Sequence, residues 1–155
     1  MSANFPVEYI PAAFPDADLY AGDLTTDRVK CPGNGKLHIL FIEGAGGVGY
    51  GTITVHAHLA NSGGTPEAIP FRYKVATSGA GVQNYGGYTL APVTGVEVAA
   101  GANKQVLIEI TPGDLPSGKR WISATLTETD STAVDAAVHF VIIGGDHPGA
   151  GLSSL

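Results

Sequence analysis

From residue 37 onward, apolar and polar residues alternate with a period of two over most of the chain. Over residues 52–59, Ile53, Val55, Ala57 and Leu59 alternate with Thr52, Thr54, His56 and His58. Successive side chains of an extended chain point to opposite faces, so this is a strand with one face on a core and the histidines on the other. Residues 69–77 repeat the pattern, with Phe71, Tyr73 and Val75 opposite Arg72 and Lys74. Residues 105–111 set Val106, Ile108 and Ile110 on one face. Residues 37–43 are more continuously apolar, which predicts a strand covered on both faces or nearly so. Residues 93–98 read as one short strand. Residues 120–129 and 136–143 predict a last hairpin, with Ile122, Ala124 and Leu126 meeting Val138, Phe140 and Ile142 in the core.

Turn chemistry punctuates these segments: Asn61-Ser62-Gly63-Gly64, Ser78-Gly79, Gly86-Gly87, Pro112-Gly113-Asp114 and Pro116-Ser117-Gly118. About seven short strands without a capped helical stretch predict an all-β fold, an antiparallel β-sandwich of Ig-like or jelly-roll-like type. Residues 37–143 form the sandwich domain in this reading. Residues 144–155 form a flexible Gly-rich tail. Residues 1–36 read as an extended N-terminal arm, because Pro6, Pro11 and Pro15 break any helix. Spaced between and after them are Phe5, Tyr9, Ile10, Phe14, Leu19 and Tyr20. Two placements fit: the arm packs along its own sandwich, or it lays these side chains into a neighbouring subunit.

Composition sharpens the functional reading. Charged residues make up 14% of the 155-residue chain, against about a quarter in ordinary domains. Such a surface suits a subunit packed against others. The net charge is −6, with only 8 Lys and Arg residues, and no cationic cluster fit for phosphates, so no nucleic-acid partner is expected. No apolar run approaches the ~20 residues of a membrane helix. The N-terminus lacks the basic and apolar regions of a signal peptide, which predicts synthesis in the cytoplasm and no membrane partner. Cys31 is the single cysteine and excludes an intrachain disulfide.

The motifs that usually carry chemistry have plainer readings here. Gly44-Ala45-Gly46-Gly47-Val48-Gly49 has the spacing of a dinucleotide-binding loop, but the following Tyr50-Gly51-Thr52-Ile53-Thr54-Val55 reads as a strand. A pyrophosphate site needs a helix N-terminus there, so the loop reads as a hairpin connection and no cofactor is expected. His38, His56 and His58 would have to converge across strands to hold a metal, and no Cys or carboxylate lies close in sequence to complete the set. Asp16, Asp18, Asp23 and Asp27 lack the oxygen-ligand spacing of a calcium loop. No Gly-x-Ser-x-Gly elbow is present, and no catalytic residue is assigned. Among the aromatics, Trp121 begins a core strand and is expected to be buried. Tyr85 and Tyr88 sit in a Gly-rich loop and are the better candidates, with the aromatics of the arm, for contact with a partner.

The order of segments resembles a known family. An apolar strand, Leu37 to Gly46, precedes Gly51-Thr52-Ile53-Thr54-Val55-His56. Ile69-Pro70-Phe71-Arg72-Tyr73 follows, then Val106-Leu107-Ile108-Glu109-Ile110 with Asp114-Leu115 and Gly118, and a final pair of strands. Over residues 28–143 this is similar to small virion structural proteins of tailed bacteriophages and prophages. The resemblance implies a non-enzymatic subunit, such as a head decoration or cement protein on the capsid exterior, with a major capsid protein as partner and self-association as a trimer. A tail component, or a carbohydrate-binding adhesive module, is the alternative reading.

Overall fold

The computed structural model describes residues 7–16, 22–43, 50–79, 82–99, 104–129 and 135–144. It is all-β: two antiparallel sheets lie face to face over one core. In chain order the strands are β1 (Val7–Asp16), β2 (Leu24–Thr25), β3 (Val29–Lys30), β4 (Lys36–Glu43), β5 (Tyr50–His58), β6 (Glu67–Ile69), β7 (Phe71–Gly79), β8 (Val82–Tyr85), β9 (Thr89–Ala91), β10 (Val96–Ala99), β11 (Lys104–Ile110), β12 (Trp121–Glu128) and β13 (Ala136–Ile143). One 3-10 turn, Pro112–Asp114, follows β11 and is closed by Asp114, whose Oδ2 accepts the Thr111 N–H at 2.8 Å. The first sheet runs β1-β13-β4-β11-β7-β8, with β9 also on β7; the second runs β10-β5-β12-β2, with β6 on β5 and β3 on β12.

The period-two pattern accounts for the core. Leu37, Ile39 and Phe41 of β4, Val106, Ile108 and Ile110 of β11, and Val138, Phe140 and Ile142 of β13 face inward from the first sheet. Ile53, Val55 and Ala57 of β5 and Ile122, Ala124 and Leu126 of β12 meet them from the second. Each large apolar side chain sealed from water in this way contributes about 1.5–3 kcal/mol.

Both expected hairpins are corrected. β4 and β5 belong to different sheets, as do β12 and β13. The side chains expected to meet do meet, but across the sandwich rather than along a ladder. Alternation reveals which face a strand buries and not which neighbour it pairs with. Two further positions change. Leu59 is exposed, because β5 ends at His58, and His58 itself is buried. Trp121 is half-buried, opposite His58 in the ladder rather than in the core.

The N-terminal segment joins both sheets of its own chain. β1 pairs antiparallel with β13, with Ile10 opposite Phe140 and register shifts between Pro11 and Ala13 and between Ala13 and Asp16. β2 and β3 pair with β12. The prolines that exclude a helix permit an edge strand, where a missing N–H costs no ladder bond on the solvent side.

Candidate functional site

The outer face of the second sheet is polar, as an exposed antiparallel sheet should be. Thr25, Thr125 and Thr54 lie side by side across β2, β12 and β5. The outer face of the first sheet differs. The strands at its centre carry apolar residues on both sides, so the side turned away from the core is apolar too. Leu40 and Ile42 of β4, Leu107 of β11 and Ile143 of β13 lie there half-buried. Val7 and Tyr9 of β1 are exposed beside them, as is Leu90 of β9 at the far edge.

The ladder registers align one row across this face. Tyr9 lies opposite Val141, Val141 opposite His38, His38 opposite Glu109, Glu109 opposite Arg72, and Arg72 opposite Leu90. A second row sets Leu40 opposite Leu107 and Leu107 opposite Lys74. At about 4.8 Å per strand, six strand positions span ~24 Å. No described element packs across this face.

The few charges on the face are satisfied within the chain. Glu109, only 7% exposed, accepts from Lys36 Nζ at 2.8 Å, Tyr88 Oη at 3.1 Å and His38 Nε2 at 3.4 Å. Burial pushes its carboxyl up, but these hydrogen bonds outweigh that and hold it below the usual carboxylate range. Burial holds His38 below the ordinary imidazole value, opposed by its bond to Glu109, so the ring is a neutral donor at neutral pH. Lys74 Nζ sits 4.7 Å from the Tyr85 ring centre and 4.9 Å from that of Tyr88, a double cation–π contact. The Tyr85 hydroxyl donates to Gln105 Oε1 at 2.8 Å. Arg72 lies 3.6 Å from Asp114.

The candidate contact residues separate accordingly. Tyr9, Tyr85 and Tyr88 are exposed on this face. Ile10 is corrected: it is 8% exposed and packs into the core of its own chain, because β1 is a paired strand. Phe14 lies in β1, and its side chain is outside what is described. Phe5, Leu19 and Tyr20 lie outside the described residues, as does the glycine loop at 44–49. The chain resumes there as strand β5, not as the helix a pyrophosphate site requires. His38 stands on the outer face of the first sheet and His56 on that of the second, so the core separates them. Among the described residues no group of His, Cys, Asp or Glu could hold a metal ion. Cys31 is buried, and that burial pushes its thiol up to about 12, which leaves it unreactive. No helix among the described residues is long and apolar enough to cross a membrane.

No family model matches the chain, and no curated protein does. Among solved structures, similarity is found to a chain of the infectious bursal disease virus Gx strain, with TM-score 0.26 and 16% identity over 96% of this chain and 48% of that one. A chain of T=1 particles derived from infectious bursal virus gives TM-score 0.27 and 15% identity over 95% and 42%. This chain spans about half the length of the chains it matches. Similarity at these scores carries no argument about function.

Proposed function

We propose that this protein is a non-catalytic structural subunit of a virus particle, a decoration or cement protein on the outside of a tailed-phage capsid. One observation carries the reading: a broad apolar sheet face whose charges are already paired within the chain, on a molecule with only 14% charged residues. Apolar patches of this extent on a soluble domain mark contact surfaces. Pre-paired charges lower the desolvation cost of covering them. The sequence resemblance over residues 28–143 supports the same reading. Contact with the capsid lattice is assigned to the N-terminal aromatics, Phe5, Phe14, Leu19 and Tyr20. A tail component is the second reading, favoured by the same resemblance.

The test is to add purified protein to capsids lacking it and to sediment them. Saturable co-sedimentation, weakened when Phe5, Phe14, Leu19 and Tyr20 are replaced by serine, supports the proposal. Protein left in the supernatant of capsids and present instead on purified tails would select the second reading. Protein bound to neither would end both.

A further inference from the structure

We infer that the outer face of the first sheet docks onto the same face of a second copy, as a two-fold pair of sandwiches stacked sheet on sheet. The inference goes beyond the particle reading and is tested without capsids.

The argument is in the order of the row. Read across the sheet it runs Tyr9, Val141, His38, Glu109, Arg72, Leu90. Its midpoint falls between His38 and Glu109, that is, between β4 and β11. A two-fold axis parallel to the strands at that midpoint keeps each row on itself and exchanges its ends. Tyr9, 71% exposed at one edge, then comes over the Arg72–Leu90 end of the second copy, where Leu90 is also 71% exposed. That contact joins an apolar ring to an apolar side chain and places a guanidinium beside an aromatic face. At the centre, His38 of each copy comes to face Glu109 of the other, a donor facing a carboxylate. One row along, Leu40 meets Leu107 of the second copy. Stacked sheets pack about 10 Å apart with interdigitating side chains, which these residues can fill.

Charge selects this occupant over an unlike partner. The face carries Lys36, Arg72 and Lys74 against Glu109 and Asp114, and each cation already has a partner in its own chain: Glu109, Asp114 and the two tyrosine rings. No counter-charge has to be supplied from outside, so an identical surface can cover it. The ends are unlike, apolar at β1 and cationic at β7, and the two-fold places unlike ends together. Two copies complete this arrangement, so a pair takes the place of the trimer that the family resemblance implies.

Sedimentation equilibrium of the full chain should show a reversible dimer. Leu40→Glu and Leu107→Glu each place a charge at the centre and should each yield monomer with an unchanged circular dichroism spectrum. Thr54→Glu on the opposite outer face should leave the dimer intact. Cysteine pairing reports the geometry independently. The Tyr9→Cys, Leu90→Cys double variant should form intermolecular disulfides under mild oxidation, and neither single variant should, with buried Cys31 silent. A monomer at every concentration, a trimer, a dimer unaffected by both glutamates, or a disulfide formed by Tyr9→Cys by itself would each overturn the inference.

Discussion

His58 and Ser123 hydrogen-bond to each other on the outer face of the second sheet, Nε2 to Oγ at 2.8 Å, with both side chains buried. The ring's other nitrogen, Nδ1, has no partner. In the tautomer this network favours, Nε2–H donates to Ser123 and Nδ1 leaves only a lone pair unmet. Protonation would bury a second N–H with no acceptor. Burial, and then the charges of Arg28, His56 and Lys119, lower this imidazole from 6.5 to about 4.

The consequence for stability has a definite sign. A group whose folded value is lowered takes up its proton preferentially in the unfolded chain. His58 therefore adds no pH dependence above about 6.5 and removes stability as pH falls from there through about 4. Thermal melts across that window should fall progressively, and His58→Gln should flatten the slope. His38 and His56 are also lowered by burial, so some slope should persist. Glu109, held below 4.5, adds a separate loss only at still lower pH. An unchanged slope in His58→Gln would show that the ring accepts its proton without unfolding.

The inward register rests on Phe140, fully buried between the sheets. Phe140→Ala should cost about 3–5 kcal/mol, a large part of the stability of a small domain. Its neighbour His139 points to the outer face and is half-buried; His139→Ala should cost about 1 kcal/mol or less. Urea unfolding of the pair checks this, and similar costs for the two would place the register one residue out.

Strand positions and inward faces were legible from alternation: β13 spans the residues expected of it, and the predicted core positions of β11 and β12 are buried. Pairing was not legible. Glycine loops permit a crossing to the opposite sheet as readily as a hairpin, and the strand pattern is the same either way. The short strands β2 and β3 escaped because two residues show no period. Tyr85 and Tyr88 were identified as contact residues from their loop, but Glu109 and Lys74 beneath them were not, since they are brought together by ladders between β4, β11 and β7. One signal for the open face was present. The runs at residues 37–43 and 136–143 are apolar at consecutive positions, more than one core face can absorb.

Gly95 is required twice over. It sits at φ 90°, in the left-handed region that side chains rarely adopt, and a Cβ there would run into the carbonyl oxygen of Ile53 and the side chain of Thr54. Its N–H closes the turn onto Pro92 O at 3.0 Å. Gly63 shares the backbone region at φ 65° but has nothing within 4 Å of a Cβ. Gly63→Ala should cost about 1–2 kcal/mol, the left-handed penalty. Gly95→Ala should cost clearly more, because β10 must shift from β5 to admit the methyl group. Equal losses in urea unfolding would show that the turn moves freely.

The N-terminal segment should be necessary for folding in steps. Deleting residues 1–16 removes β1, unpairs β13 on that side and uncovers the site of Ile10, whose burial contributes about 1.5–3 kcal/mol. That truncation should fold with a lowered melting temperature. Deleting residues 1–27 goes further. Thr26 donates its N–H to Ala124 O at 2.9 Å, and its Oγ1 accepts the Ala124 N–H at 3.0 Å. Without it, the donor and acceptor of a buried residue in β12 lose their partners, at about 1–3 kcal/mol each, and Leu24 leaves the core edge as well. Added to the loss of β1, this consumes most of the 5–15 kcal/mol that holds a domain of this kind together. The longer truncation should therefore lack a cooperative melt by circular dichroism, while the shorter one keeps its own. A longer truncation that melts near the full-length protein would show that β1, β2 and Thr26 only rest on a sandwich that stands without them.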